Sequence, residues 1–298
     1  MGNLCNKVLQ REIYGISSLS LEMSKNDDKD IIIPLYTSDC DEDIEKIEFE
    51  YNYLKEINFY DYINSLKSFN NDKKNKDNIF IKDDYFKKNF PLEEFQLFIE
   101  NNILKDKSID LKLGTKEIEK NIFKDTLINI YKGVSKLLYE HKTKYNKGIE
   151  QKNVYSKGDA ITLGLLYCKG NNIDKIKFLF YLFSNCGNLK KSYDFDEFLL
   201  SLFLTGTYGI LLSRIKVGPK YDELGELNFV LSQKYLDSFQ LKNSENLVKV
   251  TNDIIFGKKG NLNYNFSDFQ NKFSDDKNNS FGFLISSKGI RYMHNKNI

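Results

Sequence analysis

The stretch FGKKGNLNYNFSDF, Phe256 to Phe269, sets two phenylalanines around twelve residues, Gly257 to Asp268. Tyr264 stands eighth in that interval and Asp268 twelfth. Leu247 to Phe256 carries the three- and four-residue apolar spacing of an amphipathic helix, and a partner helix is expected after Asp268. An aromatic and an acid thus hold fixed places between two helices, while Lys258 and Lys259 crowd the opening positions.

The frame recurs. In LFYLFSNCGNLKKSYDFDEF, counting back from Glu197 as twelfth places Cys186 first and Tyr193 eighth. In GIEQKNVYSKGDA, Asp159 is twelfth, Gly148 first and Tyr155 eighth. Tyr155 and Tyr193 lie 38 positions apart, and the segment between them reads helix, linker, helix.

On these residues, over about positions 118–275, the chain resembles the EF-hand superfamily. GDAITLGLLYCKGNNIDKIKFLFYLF is similar to the linker between paired hands in neuronal-calcium-sensor-type proteins. The N-terminal EF-hand regions of TLDc-domain proteins are a second likeness, although the rest of the chain shows no TLDc-like region. The resemblance implies a mainly α fold of paired helix-loop-helix units with short two-stranded bridges between loops, so Tyr155 is expected to face Tyr193. A fourth, more degenerate unit is expected over Glu42 to Phe90, with Ile79 or Phe80 at its bridge.

Calcium is another matter. An EF-hand loop supplies oxygen ligands from positions one, three and five, a sharp glycine turn at six and a bidentate acid at twelve. Here the first three places are Gly148, Glu150 and Lys152, then Cys186, Asn188 and Lys190, then Gly257, Lys259 and Asn261. One carboxylate among nine positions, with Asn153, Lys191 and Leu262 at position six, does not make a calcium cage. A lysine ammonium repels the ion it would have to help bind. No metal is therefore expected, and weak calcium binding has its best remaining place at Cys186–Glu197, with Asp194 and Glu197. The acid run Asp39, Asp41, Asp43 and Glu50 is a decoy, because Ile44 holds the glycine place and acids suit a helix start.

The chain opens MGNLCNK. Loss of Met1 exposes Gly2 for N-myristoylation, and Cys5 offers a site for a second acyl chain; Asn6 departs from the Ser or Thr usual at that place. Two acyl chains hold a protein on a bilayer where one holds it only marginally. The expected location is intracellular, on the cytoplasmic face of a membrane.

Composition narrows the remaining classes. The 298 residues are 41% hydrophobic and 14% aromatic, enough for a packed core, and the net charge is +2. Arg11, Arg214 and Arg291 are the only arginines, so the bidentate reader of bases and phosphates is scarce and nucleic-acid binding is not expected. Cys5, Cys40, Cys168 and Cys186 form no CxxC pair, and His141 and His294 are the only histidines, so no zinc site of ordinary spacing is visible. There is no HExxH, P-loop, GxGxxG or GxSxG, and the chain is not expected to be an enzyme.

The organisation expected is an anchor-like N-terminus and linker over 1–37, a helical region over 38–110, the EF-hand-like domain over 111–276 and a tail over 277–298. The apolar run Phe198 to Leu212 is too short and too closely bounded by Glu197 and Arg214 to span a bilayer. Phe180, Phe183, Phe198 and Leu202 are the candidates for a groove that receives a partner's amphipathic helix. A core helix shared by two pairs is the competing reading of the same run. The function expected is a non-catalytic, membrane-anchored adaptor that works largely without calcium; the alternative is a calcium sensor with one weak residual site.

Overall fold

The computed structural model of the chain describes residues 53–69, 86–145, 155–216, 225–274 and 281–296. Gly2, Cys5, the acids from Asp39 to Glu50, Ile79, Phe80 and the loop positions Gly148, Glu150, Lys152 and Asn153 lie outside the described residues. Ten α-helices and one small two-stranded sheet carry the described chain.

The first helices are short, and α1 and α3 carry side-chain caps. A 3₁₀ turn at Tyr53–Glu56 gives way to α1, Phe59–Ser68, because the Asn58 side chain accepts from the Tyr60 backbone N–H and starts a new helix there. The continuous helix expected from Ser38 onward is therefore interrupted at Asn58. Residues Phe86 to Asn89, expected to be helical, hold a turn and an extended bridge instead. Next comes α2, Leu92–Phe98, which runs into a π-helical turn over Ile99–Ile103. The polar connection expected between Lys105 and Lys116 contains a helix, α3, Lys107–Leu113, started by the Asp106 side chain and stopped at Gly114, whose φ is 48°.

Five longer elements build the body. These are α4, Glu117–Tyr145; α5, Lys157–Tyr167; α6, Asn172–Phe183; α7, Tyr193–Lys216; and α8, Gly225–Phe256. The sheet, β1 at Ser184–Asn185 and β2 at Asn188–Leu189, lies between α6 and α7. The chain closes with α9, Phe266–Ser274, a 3₁₀ turn at Gly282–Ile285 and α10, Ser287–Lys296.

Helix α7 explains the packing. Every residue from Phe195 to Leu204 except Asp196 and Glu197 is buried, so this part of the helix needs cover on every side but the one that carries those two acids. It receives that cover from α4, α5, α8 and α10. No helix among the described residues is long and apolar enough to cross a membrane. Buried side chains from Leu54 to Ile290 form one connected core. Residues 281–296, read from sequence as part of a tail, supply Phe281, Leu284 and Ile290 to it.

Candidate functional site

Two pairs of loops meet through single antiparallel bridges, and neither pair is the expected one. Asn89 bridges Ser156, and Leu189 bridges Tyr264. Tyr155 does not pair with Tyr193. The cause is local: Cys186 and Gly187 both have positive φ, 50° and 77°, which is the backbone of a two-residue hairpin loop. That hairpin lifts Leu189 to the bridge and leaves Tyr193 as the exposed first residue of α7. Tyr264 does stand at a bridge, as its eighth place implied, with its N–H and C=O exchanged with Leu189 at 3.1 and 2.8 Å.

The first bridge is stitched by polar groups. Phe90 N–H donates to Tyr155 O at 3.0 Å, and Lys157 N–H to Lys88 O at 2.9 Å. The buried Tyr131 hydroxyl from α4 donates to Phe90 O at 2.6 Å and lies 3.2 Å from Ser156 O, touching both sides of the bridge. Its ring stacks on Phe95 with centroids 3.9 Å apart.

Each acid that the loop frame singled out is engaged by the protein itself. Asp159, 4% exposed, belongs to a capping box with Ser156, accepting from that residue's N–H and hydroxyl at 3.0 Å each. Its second oxygen accepts from Ser201 at 2.6 Å. Burial pushes the Asp159 carboxyl up, against the pull of these hydrogen bonds and of Lys142. Glu197 pairs with Lys142 at 2.9 Å, and Asp194 with Lys87 at 2.8 Å. Asp268 accepts from Asn265 at 2.8 Å, while its own N–H donates to the Asn265 side chain at 2.9 Å, closing the start of α9. Among the described residues no three His, Cys, Asp or Glu side chains are grouped to hold a metal.

The groove candidates are core. Phe180 and Leu202 are 0% exposed, Phe198 is buried and Phe183 half-buried. Phe180 packs on Phe266 and Phe269 of α9, and Phe183 on Phe86, Phe195 and Phe198. Among the described residues these four side chains pack into the core, because the apolar faces of α7 are covered by neighbouring helices. The C-terminal segment covers the next turns, with Phe283 stacked on Phe203 and Ile290 against Gly206, where an added Cβ would sit 2.9 Å from Ile290.

The open feature lies elsewhere. A cleft of about 760 Å³ is bounded by the end of α4, the start of α7 and the C-terminal third of α8. His141 and Lys144 meet Glu245 across it at 2.7 and 3.2 Å. Burial pushes the Glu245 carboxyl up, but hydrogen bonds from His141 and Lys144 outweigh this and hold it low. Asn252 donates to Asp196 at 2.8 Å, and burial raises the Asp196 carboxyl. A second chamber of about 200 Å³ lies behind, lined by Ser156, Asp159, Phe198 and Ser201. Lys142 and Glu197 line both spaces. The frame count singled out Asp159 and Glu197, but nothing local in the sequence marks Lys142, His141 or Glu245, whose partners lie 55 to 104 positions away.

Comparison of the chain with models of protein families, with curated proteins and with solved structures returned no match in any of the three.

Proposed function

We propose that the chain is an EF-hand-like module that keeps its shape without metal and serves as a non-catalytic adaptor, tethered to a membrane through acylated Gly2 and Cys5. The observation behind this reading is the pair of loop bridges, Asn89 to Ser156 and Leu189 to Tyr264, each joining two helix-loop-helix units. An EF-hand ancestry accounts for that repeated geometry, and the loss of ligands accounts for the acids being spent on caps and ion pairs. A partner's amphipathic helix would then have to take the place of a helix that now covers α7, the nearest being α10 over Gly206.

The alternative, a sensor with a residual calcium site at Cys186–Glu197, has less to draw on. Asp194 and Glu197 are each held by a lysine, and the hairpin replaces the extended loop a calcium ion needs. Isothermal titration of calcium into the metal-stripped chain, with magnesium present, separates the two. The adaptor reading expects no binding heat up to high micromolar calcium. A saturable micromolar site would overturn it.

A further inference from the structure

The helices that cover α7 are not docked alike. Between α5 and α7 the buried polar side chains find partners: Thr162 meets Thr205 at 2.9 Å, Ser201 donates to Asp159 at 2.6 Å, and the Tyr167 hydroxyl donates to Thr205 O at 3.2 Å. On α8 the opposite holds. Six residues from Gln240 to Asn252 are buried, and four of them, Gln240, Ser244, Thr251 and Asn252, are polar. Each of these four carries an atom without a hydrogen-bond partner: Gln240 Oε1, Ser244 Oγ, Thr251 Oγ1 and Asn252 Oδ1. Ser135 Oγ on α4, a helix that α8 also touches, is left in the same way. We propose that α8 is a hinged cover: it pivots at Phe256, lifts from α7 as a unit, and is the first of the covering helices to let go.

Two ties hold the polar seam. The Gln240 amide donates to Thr207 Oγ1 at 2.7 Å and to Leu204 O at 3.3 Å, and the Asn252 amide donates to Asp196 at 2.8 Å. Both ties use the amide nitrogen and leave the amide oxygen bare. Past Asn252 the chemistry changes. Ile255 and Phe256 are fully buried, and the Phe256 ring meets Phe195 edge-on at 5.6 Å. Gly257, with φ at 74°, ends the helix there. The grip is thus apolar at the end that serves as pivot and polar along the length that moves.

A buried polar atom that has left water without gaining a partner costs stability, and lifting α8 returns all of these atoms to water. Helical hydroxyls elsewhere avoid that cost by bonding the carbonyl one turn back, as Thr126, Thr205 and Thr207 do. Ser244 and Thr251 do not. Opening α8 therefore takes less free energy than unfolding the chain. The use of the opened face rests on the adaptor reading and narrows it. The stripe of α7 that carries Leu200, Leu204 and Thr207 is what a partner's amphipathic helix would take. In that event α8 yields ahead of α10, which Ile290 keys against Gly206.

Native-state amide exchange on the full chain, across low denaturant, tests it. The amides of Leu247, Thr251 and Asn252 should share one opening and exchange about tenfold or more faster than those of Leu163 and Leu165 in α5. Exchange of α8 in step with α5, or protection that only grades along α8 with no shared opening, overturns the proposal. Thr251→Val keeps the side chain's shape and removes one stranded hydroxyl. It should slow the shared opening of α8 about fivefold and raise the thermal midpoint by roughly 2 °C. Faster or unchanged α8 exchange in T251V overturns the seam as the cause. Should T251V not fold, Ser244→Ala makes the same test with the same expected sign. Calcium titration of the unaltered chain fails separately: binding heat sinks the metal-free adaptor and leaves the hinge standing, whereas an α8 that opens only with the whole chain sinks the hinge alone.

Discussion

The two loop bridges solve one problem with different chemistry. At Asn89–Ser156 the rings packed round Phe90, from Phe69, Phe95, Phe98 and Tyr131, are joined by directional polar groups: the Tyr131 hydroxyl on Phe90 O, the Ser156–Asp159 capping box and the Ser201 bond behind it. At Leu189–Tyr264 the surroundings are rings. Phe180 meets Phe266 and Phe269, and Tyr264 meets Phe269 and Phe281. Polar stitching fixes register and fails when one partner is lost. Ring packing tolerates small shifts but depends on filled volume. Each bridge is thus kept by whichever core lies beside its loop.

The largest effect should come from emptying the ring cluster. Phe180→Ala deletes a fully buried phenyl and should cost about 3–5 kcal/mol. Amide exchange then reads the location: the Leu189 and Tyr264 N–H groups should exchange faster, while those of Lys157 and Gly158 keep their protection. Uniform acceleration at both bridges would erase the distinction between the two regions. Tyr131→Phe makes the reciprocal test at the polar bridge. It keeps the ring on Phe95 and removes one hydroxyl, leaving the buried Phe90 carbonyl without that donor, for about 1–3 kcal/mol. Here Phe90 and Lys157 should lose protection and Tyr264 should not.

What sequence could supply divides along the same line. Helices are legible wherever apolar spacing is regular, as in α4 and α6, and the count alone places Tyr264 at a bridge. The count failed at Tyr193 because a hairpin of only two residues, Cys186 and Gly187, altered the loop's length from within. Helix α3 is hidden because Ile109, Leu111 and Leu113 alternate at strand spacing; Ile109 and Leu113 are buried, while Leu111 on the outer face is almost fully exposed. The groove residues were legible as apolar but not as covered, because cover comes from α9 and α10, far along the chain. Lys142, His141 and Glu245 carried no local signal. Ion pairs between distant helices have no spacing rule to betray them.

A smaller effect should come from the ties that join the two regions. Glu245 on α8 receives His141 and Lys144 from α4, and its folded pKa is held below the ordinary value of 4.5. A depressed carboxylate contributes stability that is full above its unfolded pKa and is lost as pH falls through the folded one. Glu245→Gln should therefore be less stable than the unaltered chain by about 1 kcal/mol at neutral pH, with the gap closing below pH 4.5. Denaturant midpoints across that window measure it. A gap that widens on acidification would reverse the sign and remove Glu245 as a tie between regions.

The smallest effect probes why the second loop departs from its expected length. Cys186 is exposed and holds φ at 50°, a region that favours Asn and Gly over most side chains. Cys186→Asn keeps the two-residue hairpin and suits its first position, so it should stabilise the chain by about 0.5 kcal/mol, well within the strain a left-handed residue carries. Substitution by Val should act the other way, since a β-branched residue resists positive φ. If both variants leave the midpoint and the Leu189 exchange unchanged, the hairpin does not set the bridge register. The displacement of Tyr193 from the bridge would then belong to the helix start at Ser192, whose hydroxyl accepts from Phe195 N–H at 3.2 Å.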